Sequence, residues 1–459
     1  MTTIPVQEKL KQQFPDLVYT PLLAPGKHPV FTYNGFHPGK IDQLPRGHVK
    51  EPGYQAFSVD VTWEHDRAIP MRDGVTIYGD VFRPSNEENK VPAIIPWSPY
   101  GKVGSGAQDY DRFENIENIG AMVRQRLLFD DYWDAKKIKP ENIHNIPMYL
   151  TASYSTGLHC EGSFHTFETA QTSRKWFRVH ASQEWHDLYR PEAMDDLQRF
   201  YDFYAKGLQN GWETEMPRVR LTLIGYDGSY AKTVEERPEK QWPPASQHSV
   251  RYYLDASNKA LVSAQPAVSS FVAHESHSLS DCSDFVLHFD KYTELCGRPF
   301  VKLYMSCNSS DEMDVVVQIR KVSASGKLLE SLNWSPMPKP QPEVPDVNIA
   351  KHLGQQGMLR ASHHVSLRPR QNDDEFPVYD HDRREPIPVD AVVPLLIPIW
   401  PVGMVFEAGE GLVLRVSGHD MSLPEVEMMR LKEPVDENRG KHTIYTGGDY
   451  ASCLVLPFI

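Results

Sequence analysis

Apolar and polar residues alternate along "FSVDVTWEHDRAIPMRDGVTIYGDVFRP", residues 57–84, on both sides of Arg72-Asp73-Gly74. A period of two, broken by an Asp-Gly turn, predicts a β-hairpin. The next stretch, residues 91–97, is almost wholly apolar, which predicts a strand covered on both faces. "NIPMYLTASYS" and "KWFRVHASQ" predict a second and a third buried parallel strand, and "GLHCEGSFHTFETAQ" between them predicts a helix. Phe113, Ile116, Ile119, Met122 and Val123 recur at helical spacing, so a helix is expected over about 111–128. From Pro191 a helix is predicted to about Lys206. Pro stands at its start, Leu197, Phe200, Tyr201 and Tyr204 share one face, and Gly207 follows the last turn.

After Pro217 the pattern changes. Short strand-like runs recur, among them "RVRLTLIG", "DFVLHFD", "PFVKLYMSC", "DVVVQIRKVSA" and "GLVLRVSGHD", separated by turn residues such as Ser325-Gly326. This spacing predicts a β-sandwich, with the Pro-rich "WSPMPKPQPEVPDV" as a long exposed loop. The stretch 1–56 is rich in Pro, Gly and His, with one amphipathic patch from Val6 to Phe14, and reads as an arm that lies on the rest of the protein.

Composition narrows the function classes. The chain has 459 residues with 37 Pro and 28 Gly, which favours turns and β-rich architecture over a helical bundle. A net charge of −13 argues against phosphate-backbone binding, so no nucleic-acid partner is expected. Five cysteines, at 160, 282, 296, 307 and 453, form no C-x-x-C and fit reduced thiols of a cytoplasmic protein. The first residues hold no apolar core of signal-peptide length, and no run approaches the ~20 apolar residues of a membrane span. No membrane partner is therefore expected.

At this point a family can be named. "MRDGVTIYGDVFRP", "VPAIIPWSPYGK", "EMDVVVQIRKVSASGK", "GMLRASHH", "IPIWPVGMVFEAGEGLVLRVSGHD" and "HTIYTGGDYASCLVLPFI" stand in an order and spacing that resembles the CocE/NonD hydrolases, the group of cocaine esterase and the Xaa-Pro dipeptidyl-peptidases. The resemblance covers nearly everything from residue 57 onward. It implies an α/β plus all-β fold in three parts: an arm over 1–56, a truncated α/β-hydrolase-like domain over 57–216, and a jelly-roll, galactose-binding-like sandwich over 217–459 of the Xaa-Pro dipeptidyl-peptidase C-terminal type. It also implies a Ser-His-Asp triad with the Ser in a G-x-S-Y-x-G elbow, and a Tyr whose hydroxyl serves the oxyanion. Tyr100 in "SPYGK" falls on that Tyr. A phenol at a strand's C-terminal edge can place a directed hydrogen bond where negative charge develops. The alternative for Tyr100 is a turn tyrosine ahead of Gly101.

The nucleophile is missing. No G-x-S-x-G occurs in the sequence. Ser155 in "ASYSTG" follows a strand but stands where the family places its triad acid, and Ser229 in "DGSYA" opens the sandwich. Two parallel strands, the elbow and most of the family's helical cap have no counterpart, with the excision placed between about Asp109 and Met122. The turn Tyr154-Ser155-Thr156 replaces the family's acidic turn, and "VHASQEWHD" replaces its histidine turn with His180, Glu184 and His186 out of register. A diverged branch of the family shows a similar "LH…G…RVH…QEW" pattern, which implies a role of their own for His159, His180 and Glu184. Tyr100, His159 and His180 are expected at one cleft, because each ends or follows a parallel strand.

His159, Cys160, His165, His180 and His186 are dense but lack ligand spacing, so no metal and no cofactor are expected. Cys160 reads as a buried thiol, with acyl transfer beside His159 as the alternative. Asp73 reads as a turn former. Asp314, His419 and Asp420 match family positions that support sandwich loops, and Trp185, Tyr189 and Tyr204 read as packing. The function expected by descent is serine hydrolysis of acyl esters, amides or Xaa-Pro peptides, so a small-molecule or peptide substrate, with no ordinary turnover in this chain. The alternatives are a non-catalytic relative that binds a small molecule or a protein, and an exon-skipped form of an active hydrolase. Removing two central strands leaves a sheet edge open, which makes a homo-oligomer an expected partner state.

Overall fold

The computed structural model describes residues 11–21, 35–50, 55–71, 76–86, 91–96, 115–188, 190–332, 351–368, 375–420 and 438–459. The chain divides into two compact units, Met1–Ala135 and Lys136–Ile459.

In the first unit, β1 (Tyr19–Pro21) pairs antiparallel with β5 (Asn115–Glu117), and β2 (Ile41–Leu44), β3 (Val61–Pro70) and β4 (Thr76–Pro84) form an antiparallel sheet in that order. The hairpin expected around Arg72-Asp73-Gly74 is thus the β3–β4 pair, though the turn itself lies outside the described residues. Its register shifts between Glu64 and Arg67, where Asp66 takes a φ of 47°. Asn118 caps α1 (Ile119–Gln125), its side chain accepting from the Ala121 amide. The helix buries Met122 against Phe14 and against Tyr132 of α2 (Asp131–Lys136).

Two expectations need correcting here. Of the helix expected over 111–128, the described part is Ile119–Gln125, because Asn115–Glu117 is drawn into a strand by Tyr19–Pro21; residues 111–114 lie outside the described residues. The strand expected over 91–97 is not formed over 91–96: among the described residues these pair with nothing, and Ile94 and Ile95 are 62% and 75% exposed, while Trp97 lies outside the described residues. An apolar run marks a buried strand only where neighbours exist to cover it. Pro92 and Pro96 also remove ladder donors.

In the second unit, β6 (Met148–Ser153), β7 (Lys175–His180), β8 (Val219–Leu223) and β9 (Val234–Glu239) form a sheet in that order, the first three parallel and the last antiparallel. The expected helix α3 (Gly157–Thr169) carries the chain from β6 to β7. Its Phe164 and Phe167 pack on Phe177 of β7, with ring centroids 4.8 Å and 4.7 Å away. After α4 (Glu184–Asp187), α5 (Pro191–Tyr204) and α6 (Trp212–Glu215) lead to β8. Phe200 and Tyr204 pack around Trp176, whereas Tyr201 is exposed. The stretch "RVRLTLIG", expected in the sandwich, instead supplies β8, because Val219 and Arg220 align beside Phe177 and Arg178.

Among the described residues, thirteen strands between His248 and Phe458 make the jelly-roll sandwich. Asp314–Val322 lies between Gly354–Arg360 and Gly411–Ser417, and the C-terminal strand Cys453–Phe458 pairs with His248–Asp255. One core runs through sheet and sandwich, from Phe164, Leu221 and Leu223 to Leu295, Met404 and Phe406. The contact is close enough to demand glycine. A Cβ on Gly403 would stand 2.5 Å from both the Thr222 carbonyl oxygen and the Tyr154 hydroxyl. The β8 end is held there by backbone bonds from the Ile224 amide to the Gly403 carbonyl (2.9 Å) and from the Val405 amide to the Ile224 carbonyl (3.2 Å).

Candidate functional site

The parallel strands end together beside the sandwich, and ligand sites of open α/β sheets lie at such ends. On β7, Arg178 and His180 stand two residues apart and so share one face. The chain then turns through Ser182 and Gln183 into the short helix α4, which brings Asp187 back under the strand end. Arg178 grips Asp187 with two parallel hydrogen bonds, of 2.5 Å and 2.9 Å, the fork geometry that suits a carboxylate. Its Nε donates to Glu236 (2.6 Å), which also accepts from Arg220 (2.9 Å). Arg220 in turn reaches Asp196 (2.6 Å) and donates to the Tyr149 hydroxyl (2.7 Å). This line of alternating charges pins β6 to β9, α4 and α5 around one point.

His180 sits at that point with its Nε2 3.7 Å from the Asp187 carboxylate. Burial pushes its pKa down to about 4, and Arg178 and Arg190 push the same way against Asp187 and the Ser182 backbone. The ring is therefore neutral at pH 7. Burial pushes the Asp187 carboxyl up, but Arg178, His180 and Arg190 together hold it below its ordinary value. At 3.7 Å the carboxylate is beyond hydrogen-bond distance and acts on the ring through its charge alone. Nδ1 has no hydrogen-bond partner. His180, Ser182, Arg178, Arg190, Thr222 and Glu235 are among the walls of a cavity of about 230 Å³.

His159 and Glu184 lie elsewhere. They face one another at 3.8 Å, both well exposed, where α3 and α4 begin. The Thr156 hydroxyl stands within hydrogen-bond distance of Gln183 Oε1 (2.5 Å) and of the Glu184 carboxylate. Neither His159 nor Glu184 is a wall of the His180 cavity. Tyr100 lies outside the described residues.

The candidate nucleophiles are tied up or inert. The Ser155 hydroxyl is 2.9 Å from that of Ser153, which itself lies 2.5 Å from the Ser182 carbonyl oxygen. Cys160 is buried, and burial pushes its thiol up to about 12, so no thiolate forms at neutral pH. The Ser182 hydroxyl is buried with no partner. In the sandwich, Asp314 binds Arg360 through two bonds of 2.7 Å and 2.8 Å, and Asp420 accepts from Gln356 at 3.1 Å. Among the described residues no three His, Cys, Asp or Glu groups converge as metal ligands, and no helix is long and apolar enough to cross a membrane.

Asp187, Arg190 and Ser182 were not singled out from the sequence. One signal was available: Arg178 and His180, two apart among Trp176, Phe177 and Val179, need a buried acid, and "EWHD" supplies the nearest. Which of its acids answers depends on how α4 folds back.

A short parallel sheet that ends on a buried His–Asp pair and packs on a jelly roll defines an α/β-hydrolase-like protein with a sandwich partner. The fold is that of the CocE/NonD hydrolases. A CocE/NonD family hydrolase from Staphylococcus aureus aligns over 95% of this chain and 100% of its own, with a TM-score of 0.77 at 22% identity. An aminopeptidase from a marine sediment Thaumarchaeota archaeon aligns over 74% of this chain and 60% of its own, with a TM-score of 0.51 at 15% identity. Residues 210–455 match the X-Pro dipeptidyl-peptidase C-terminal non-catalytic domain, and the chain belongs to that family. A further 41% identity, over 81 residues, links it to the L-tyrosine:2-oxoglutarate aminotransferase ucdG of Aspergillus ustus. That match spans 18% of this chain and 15% of that protein.

Proposed function

We propose that this chain is a CocE/NonD-type serine-hydrolase homologue that binds a small acyl or peptide-derived molecule at the His180 cavity without turning it over. One observation carries the reading. His180 has a neutral buried ring with a carboxylate 3.7 Å from Nε2, yet among the described residues no hydroxyl or thiol is hydrogen-bonded to its Nδ1. A base without a nucleophile can polarise or bind a substrate but cannot start acyl transfer. By its place in the sequence Tyr100 matches the family's oxyanion donor, and His159 with Glu184 forms a separate exposed polar pair outside the cavity. All five cysteines are free, which supports a reducing, cytoplasmic setting.

A fluorophosphonate probe should leave the purified protein unlabelled, and aryl esters and Xaa-Pro amides should not be hydrolysed above background. Stoichiometric labelling of one serine, lost when that serine is replaced, would overturn this, and Ser155 is the first to replace. A second reading, an exon-skipped active hydrolase, is favoured by β6. Among the described residues no strand pairs with its outer edge, where the family's missing strands would stand. Transcript sequencing across codons 105–125 separates the two readings.

A further inference from the structure

We draw no further inference here: the strongest candidate, the aromatic patch on the sandwich surface where Phe271, Tyr445 and Tyr304 are direct cross-strand neighbours and Phe271 is 68% exposed, carries nothing, because nothing in the structure shows what covers it.

Discussion

At the scale of single residues, the second unit is tied together by a lysine that never meets water. Lys321, on the strand Asp314–Val322, has 0% exposure and stands 3.0 Å from the Glu410 carboxylate. It also donates to the Gly225 carbonyl (2.9 Å), the Ser229 hydroxyl (2.7 Å) and the Val405 carbonyl. Glu410 accepts from the Ser229 hydroxyl (2.7 Å) and from the amides of Tyr230 (2.8 Å) and Glu407 (2.9 Å). Ser229 is therefore a strut between two charges. Burial lowers Lys321 to about 8, against the pull of Glu410. Replacing a buried pair by apolar groups can be neutral, but leaving one member alone is costly. Lys321→Met is expected to lose about 3–5 kcal/mol in urea unfolding, and Lys321→Met with Glu410→Leu to recover a good part of it. A single variant as stable as the native chain would show that the pair contributes nothing.

Elements were legible in the sequence where burial is a local property. Both parallel strands and the helices after them follow from continuous apolar runs and helical periodicity, and β6, β7, α3 and α5 lie where the pattern puts them. Residues 91–96 and the strand Val219–Leu223 were misjudged because their fate depends on neighbours distant in sequence. The site divides the same way. His180 was visible at the end of its strand, while Asp187 becomes its partner only through the fold of a short helix. The apolar pattern of β6 also hides that, among the described residues, one of its edges has no partner strand. β6 pairs with β7 alone among the described residues, whereas Asp314–Val322 has a strand on each side. Every second amide of β6 points away from β7 and has no ladder partner. Hydrogen exchange in β6 should accordingly be much faster than in Asp314–Val322. Equal protection in the two strands would mean that a second chain or another part of this one covers the edge.

At the scale of the whole molecule, the second unit has an acid weakness built into its core. His180, His274 and His352 are lowered by burial to about 4, and His442 to about 3. His274 and His442 are direct cross-strand neighbours, with ring centroids 5.6 Å apart. Protonating one therefore opposes protonating the other. The unfolded chain regains the ordinary histidine value of about 6.5. Between that value and the folded ones the unfolded state binds protons that the folded state refuses, so stability falls as pH drops through this window and is fully present above it. Buried carboxylates with lowered values, Asp187 among them, add their own loss only near and below about pH 4. The net charge of −13 works the other way, since acid relieves self-repulsion, but those charges are spread over a screened surface. One pKa unit is worth about 1.4 kcal/mol, and several buried histidines act together. The histidine effect should therefore win. The urea midpoint should fall steadily from about pH 7 to about pH 4.5, and His442→Phe should flatten the slope. A midpoint constant over that range would mean that these histidines are hydrated in the native state.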